Sequence, residues 1–258
     1  MRRKVTDWGG NIAAFLLVII CNVLSNAVPL NNQTMPVISA KYPSLFTPAG
    51  FTFSIWGLIY LSLTAFVIYQ ALPAQRNNKS LGNMGIFFKV NCLANSLWIF
   101  AWHYDFLFLS MLLMVVILLS LILIYRSLNI VDAAEHSVHQ WLVQMPFGLY
   151  TGWVTVASIA NASALQVAMQ WDDLLFSAIT WTLIKLALAG AITVTVILRR
   201  GDMVFGLVVA WASFGISAKQ VATPEVAGAT WMLTILALLL VAMEGLRRYS
   251  ARNIVRGR

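Results

Sequence analysis

Charge is scarce in this sequence. Asp, Glu, Lys and Arg make up only 10% of its 258 residues, where a soluble domain carries about 25%. A chain so poor in charge and 60% hydrophobic cannot build a water-soluble surface, which excludes an ordinary soluble fold. Cysteine and histidine are scarce too. Cys21 and Cys92 both fall within apolar runs, where a thiol is a small packing residue and not part of a disulfide framework. No Cys/His cluster has metal-ligand spacing. His136 and His139 sit beside Asp132 and Glu135 in "DAAEHSVH", which reads as a solvated loop or helix face. His103 and Asp105 read as a loop pair at the outer surface. A nucleophile elbow, a phosphate loop and a metal motif are all missing. The longest polar stretches, 31–47 and 126–140, are too short to hide a soluble catalytic domain. No catalytic residue and no metal ligand is expected.

What the sequence has instead is apolar runs. Mean hydropathy is +0.80, and a run of roughly 18 or more apolar residues reads as a membrane-spanning helix. Eight spans are expected near 8–30, 48–71, 84–102, 105–125, 141–165, 174–198, 203–219 and 226–246. The fold class is therefore an all-α polytopic membrane protein. The net charge of +8 could suggest nucleic acid as a partner, but its placement argues against that. With the N-terminus inside, every Lys and Arg except Lys41, Lys185 and Lys219 falls on the cytoplasmic side, while Asp105, Asp172, Asp173 and Glu225 fall outside. This is the positive-inside pattern with an even number of spans. The expected location is a plasma membrane, bacterial given a compact chain without a transit peptide, with both termini cytoplasmic. Met1 to Ala27 has the outline of a secretory signal, yet the apolar run continues to Leu30, which favours a retained first span.

Polar and aromatic residues interrupt these runs in a pattern. Trp8, Trp102, Trp141, Trp171 and Trp231 lie near span ends, where indoles favour the membrane–water interface. Trp56, Trp98, Trp153, Trp181 and Trp211 lie deeper, and a deep indole N–H needs a partner. Asn91, Asn95 and Trp98 share one face of the third span, and Asn161 closes the fifth. Such amides serve either as interhelical glue or, with the rings, as the wall of a pocket for a flat, mostly apolar ligand with a few polar edges. Lys185 is the one charge near the middle of a span. It is either satisfied by carbonyls or hydroxyls such as Thr180, or it marks a site for an anionic group or a proton. "WGLIYLSL" (56–63) also echoes "WTLIKLAL" (181–188). A four-span duplication would explain the echo and would suit a secondary transporter of two four-helix halves, with Lys185 as its coupling or substrate-binding charge.

Three segments, "LFTPAGFTFSIWGLIY", "NCLANSLW" and "PFGLYTGWVTVASIAN", resemble the tryptophan-rich sensory protein family (TspO/MBR), which includes the mitochondrial peripheral benzodiazepine receptor. Pro48, Trp56, Gly57 and Tyr60 match its second-span motif. Asn95 and Trp98 match its third, with Asn91 where the family has Gln. Tyr150, Trp153 and Asn161 match its fifth, with Leu149 in place of a Pro and Pro146 a turn earlier. The resemblance covers about residues 8–165. It implies a TspO-like five-helix unit over 1–165, three additional spans over 166–246 and a basic cytoplasmic tail over 247–258. It further implies a cavity that binds tetrapyrroles such as porphyrin or haem, or sterol-like molecules, in a role of binding, sensing, transport or light-dependent porphyrin breakdown. The ligand-binding candidates are Pro48, Trp56, Tyr60, Asn91, Asn95, Trp98, Tyr150, Trp153 and Asn161, with Lys185 added on its own chemistry. Expected partners are the lipid bilayer, a small apolar ligand and a second copy in a homodimer, with no nucleic acid.

Overall fold

The computed structural model describes residues 3–28, 30–128 and 138–256, and the described residues form helices and connections without a strand. The helices are α1 (Val5–Ala27), a short α2 (Met35–Lys41), α3 (Ile55–Ala71), α4 (Lys79–His103), α5 (Leu107–Ser127), α6 (Met145–Ala168), α7 (Ala178–Arg200), α8 (Met203–Lys219) and α9 (Pro224–Arg256). A tight 3₁₀ turn over Gly50–Ser54 leads into α3, and a wider π-type turn over Gln140–Gln144 leads into α6. All eight expected spans are present as helices, so the protein is an all-α polytopic membrane protein. The stretch expected to be wholly polar connection before α3 also contains α2. Most of "DAAEHSVH" lies outside the described residues. Its last His, His139, packs edge-on to Tyr69 with ring centroids 6.4 Å apart.

Short polar side chains start the helices. Asn78, Ser177 and Asp202 each accept a hydrogen bond from the backbone N–H three residues on, opening α4, α7 and α8, as good N-caps do. Between α7 and α8 the "RRGD" turn works twice. Gly201, at φ +61, closes α7 in the left-handed region, and Asp202 opens α8. Helix α9 continues through Arg256, so most of the basic tail is its last turns. Its 33 residues reach about 50 Å at 1.5 Å per residue, well beyond the roughly 30 Å of a hydrocarbon core.

Among the described residues, six helices are long and apolar enough to cross a membrane, and α8 is apolar but shorter. Helix α6 does not qualify, and its surroundings explain why. Every residue from Pro146 to Val156 is buried, a run possible only for a helix covered on all sides. Helices α3, α5 and α8 pack around it. Gly148 and Gly152 face α8. A side-chain carbon at Gly152 would stand 3.1 Å from Val208 and 3.3 Å from the Phe205 backbone, and one at Gly148 would meet the Asp202 carboxylate at 2.7 Å. The small-xxx-small pair lets the two backbones approach.

Helices α7–α9 are built into this bundle. The Trp211 indole on α8 donates to Thr52 O at 3.0 Å, and Ala49 N donates to Gly215 O at 2.9 Å. The 3₁₀ turn before α3 is thereby pinned to α8. Packing also bears on the repeat. Helix α4 lies along α1 and α5, as α8 lies along α6 and α9. The second members differ, since α3 packs on α6 and α1 whereas α7 packs mainly on α9.

Candidate ligand-binding site

A cavity of about 60 Å³ opens among α3, α4, α5 and α6 toward the end of the bundle that holds Asp105. Four indoles wall it: Trp56, Trp98, Trp102 and Trp153. Phe53, Met114 and Pro48 complete the sides, and Ala157, Ala160 and Ala164 on α6 leave the room that larger residues would fill. Met35 and Ser39 of α2 cover it.

The rings hold one another. Trp56 stacks on Tyr60 with centroids 5.3 Å apart and stands edge-on to Tyr150 and Trp153 at 6.0 and 6.2 Å. Phe53 meets Trp153 edge-on at 6.0 Å, and Trp98 stacks on Trp102 at 5.8 Å. These offset and edge contacts are the favoured aromatic geometries. The polar groups divide into two kinds. Some satisfy one another across helices. Trp98 Nε1 donates to Asn161 Oδ1 at 2.9 Å, Asn161 Nδ2 donates to Ser110 Oγ at 3.0 Å, and Asn95 Nδ2 donates to the Tyr150 hydroxyl at 2.8 Å. Others are buried without a partner: Trp153 Nε1, the Tyr60 hydroxyl and Asn95 Oδ1.

Of the ten candidates, Pro48, Trp56, Trp98, Trp153 and Asn161 line the cavity. Tyr60, Asn95 and Tyr150 stand just behind, supporting those rings. Asn91 lies elsewhere, in the α4–α5 seam, where its Nδ2 donates to Ile117 O at 3.2 Å and Ser120 Oγ at 3.0 Å. Lys185 is also apart. Its Nζ donates to Gln166 Oε1 on α6 at 2.6 Å and lines a separate small cavity with Trp181 and Asp172. Thr180 is not its partner, since that hydroxyl pairs with Ser177 at 3.0 Å. Sequence reasoning missed Phe53, Met114, Met35, Ser39 and the alanines. It placed Trp102 in the interfacial belt, yet Trp102 is buried against the cavity, four residues after Trp98 and on the same face.

The cover is tethered by charge. Lys41, at the end of α2, pairs with Asp105 Oδ2 at 2.7 Å, and the Tyr42 hydroxyl donates to Asp105 Oδ1 at 3.0 Å. Burial alone would raise the Asp105 carboxyl, but the hydrogen bonds from Lys41 and Tyr42 outweigh it and hold the group below its ordinary value. The Tyr42 phenol moves up, through burial and then through Asp105. The expected His103–Asp105 pair does not form. His103 is buried at the end of α4 with Nδ1 against Ile99 O at 2.7 Å, and Asp105 turns to α2 instead.

Among known proteins, the sequence profile of a family described as TSPO-like protein matches residues 8–243. The match runs past the region that carries the three motifs and includes α7, α8 and most of α9. Searches of curated proteins and of solved structures return no match.

Proposed function

The chain belongs to the TSPO-like protein family and is an integral, multi-pass membrane protein. From that premise we propose that it binds or senses a flat, mostly apolar ligand of the tetrapyrrole class in the aromatic cavity. The observation that carries this reading is the Trp153 indole, whose N–H is buried in the cavity wall with no partner. A donor left unmade in a dry site is costly, and a ligand acceptor would complete it. The rings of Trp56, Trp98 and Trp102 supply the faces for a planar guest. At about 60 Å³ the cavity is smaller than the ~300–1,000 Å³ of sites for drug-sized ligands. A macrocycle is therefore admitted by lifting α2 and turning the half-buried Trp56. The lining residues include Met35 and Met114 but no His or Cys, a donor set that suits a metal-free porphyrin better than haem. The membrane would be a plasma membrane, with both termini on the cytoplasmic side where the basic ends of α1 and α9 gather.

The test is a dark titration of the purified protein in detergent with protoporphyrin IX and haem, following Trp fluorescence and the Soret band. We expect saturable binding at micromolar or lower porphyrin, weaker for haem. Both Trp56→Ala and Trp153→Phe should lower affinity, the latter keeping a ring but losing the N–H. Binding that neither change affects, or no saturable binding, overturns the proposal. A secondary transporter of two four-helix halves is the second reading, favoured by the shared packing of α4 and α8. It requires solute flux in liposomes that fails in Lys185→Met.

A further inference from the structure

Lys185 and Trp181 lie one turn apart on the same face of α7 and line one small cavity, walled by Ser163 and Gln166 of α6 and by Pro43–Leu45. This is not the aromatic cavity. The chain from Pro43 to Pro48 separates the two, with its first residues facing one and its last residues facing the other. Helices α6 and α7 are consecutive in sequence but touch little, and the cavity occupies the gap between them.

Two sets of donors there are unspent. The Lys185 ammonium has three N–H groups, and its hydrogen bond to Gln166 Oε1 at 2.6 Å uses one. Trp181 Nε1 is buried and has no partner. Two of the hydroxyls in the wall donate within their own helices, Ser163 Oγ to Ile159 O and Thr182 Oγ1 to Ala178 O, both at 2.8 Å, and Ser44 Oγ accepts from Phe46 N at 3.1 Å. A cation beside the cavity and an unpartnered indole N–H in the residues of its wall ask for an acceptor that carries negative charge. We infer that Lys185 and Trp181 form a second ligand site, specific for a single carboxylate group.

Size and charge select that group. The cavity, about 30 Å³, has about two water-sized places, since one water needs roughly 10–15 Å³ on this measure. Two carboxylate oxygens fill such places, one set against the ammonium and one against the indole. Asp172 also lines the cavity, and no ion pair joins it to Lys185 among the described residues. Its charge already offsets that of Lys185, so a dianion is strongly disfavoured and the site takes at most one further negative charge. This inference is independent of the aromatic cavity and of what fills it.

The carboxylate could come from water or from the bilayer, so the experiment uses one probe of each kind. Acetate and decanoate, both ¹³C-labelled at the carboxyl, are titrated into the wild-type protein in nonionic detergent at pH 7, following the carboxyl resonance and the heat of binding. Saturable binding of acetate assigns an aqueous ligand, binding of decanoate alone assigns a lipid acid, and binding of neither overturns the inference. Lys185→Met should lower affinity at least tenfold and Trp181→Phe several-fold. Asp172→Asn should tighten binding, and Lys185→Arg, which keeps the charge, should retain it. Carboxylate affinity unchanged in Lys185→Met, or lost in Asp172→Asn, refutes the assignment. Porphyrin titration of the same variants should be unaffected, which keeps the two sites' tests distinct and serves as a check on folding.

Discussion

The bond between Trp98 and Asn161 offers the sharpest test of how the cavity wall is held. Asn161 Oδ1 takes the indole proton at 2.9 Å. Ser110 Oγ is also near that oxygen, at 3.4 Å, but its one proton already goes to Leu107 O at 2.8 Å, and toward Asn161 it acts as an acceptor. Trp98 is therefore the donor that matters, and no neighbour can take its place without breaking another bond. Interhelical hydrogen bonds in membranes average about 0.6 kcal/mol and reach about 1.7 in double-mutant cycles. Trp98→Phe should cost about 1 kcal/mol or somewhat more, and Asn161→Ala, which also strips Ser110 of a donor, about 1–3 kcal/mol. Because both remove the same bond, the double variant should cost less than the sum, by about 0.6–1.7 kcal/mol. Unfolding in mixed micelles of increasing SDS fraction, followed by helical circular dichroism, measures all four corners of the cycle. A coupling within about 0.3 kcal/mol of zero would show that the wall is held by packing and that the bond is incidental.

Two further outcomes follow from close contacts. Gly148→Ala drives a methyl toward the Asp202 carboxylate that caps α8, and should destabilise by about 1–3 kcal/mol as overpacking does. Gly57→Ala on α3 has open space around it and should be neutral or stabilising by up to about 1 kcal/mol, so equal effects in the same unfolding assay would refute the account of α6–α8 packing. The Lys41–Asp105 tether is pH-dependent in a fixed direction. The folded carboxyl lies below its ordinary value, so the stabilisation is fully present above the unfolded value near pH 4 and is lost as pH falls through the folded value. Both partners are partly exposed, so the tether is worth at most about 1 kcal/mol. Asp105→Asn at pH 7 should reproduce the acid effect and speed porphyrin association in stopped flow, and an unchanged rate would remove α2 from the path of entry.

The spans were legible because apolar runs and the charges that bound them are local signals. Helix α2 was not, since seven residues with a Pro in the first turn, set in a polar stretch, give no periodicity to read. The wall of the cavity was legible where residues share a helical face, as Asn95 and Trp98 do. Whether an amide meets a ligand or another side chain depends on the helix opposite, which no single segment reveals. Asn91 turned to α5 and Asn161 to both α4 and α5. The partner of Lys185 was hidden by a boundary, because the fifth span was expected to stop at 165 and Gln166 is the next residue of a helix that runs to Ala168. Trp102 was misplaced for a similar reason. Nearness to a span end suggests the interface, but the fold places a covering helix over that end.

The burial of α6 has a cost at another stage of the protein's life. A segment leaving the ribosome meets the insertion machinery and lipid before it meets its neighbours. At that moment α4 and α5, which precede it, already carry Asn161's partners Trp98 and Ser110, but the groove at Gly148 and Gly152 has no α8 to fill it. A helix that is not apolar enough to cross by itself must be held beside the machinery until adjacent helices arrive. Thr155 and Ser158 bond back to carbonyls of α6 itself, so the contact still unmade is the one with α8. Helix α8 is in this sense part of how α6 is brought across as well as of how it is braced afterwards.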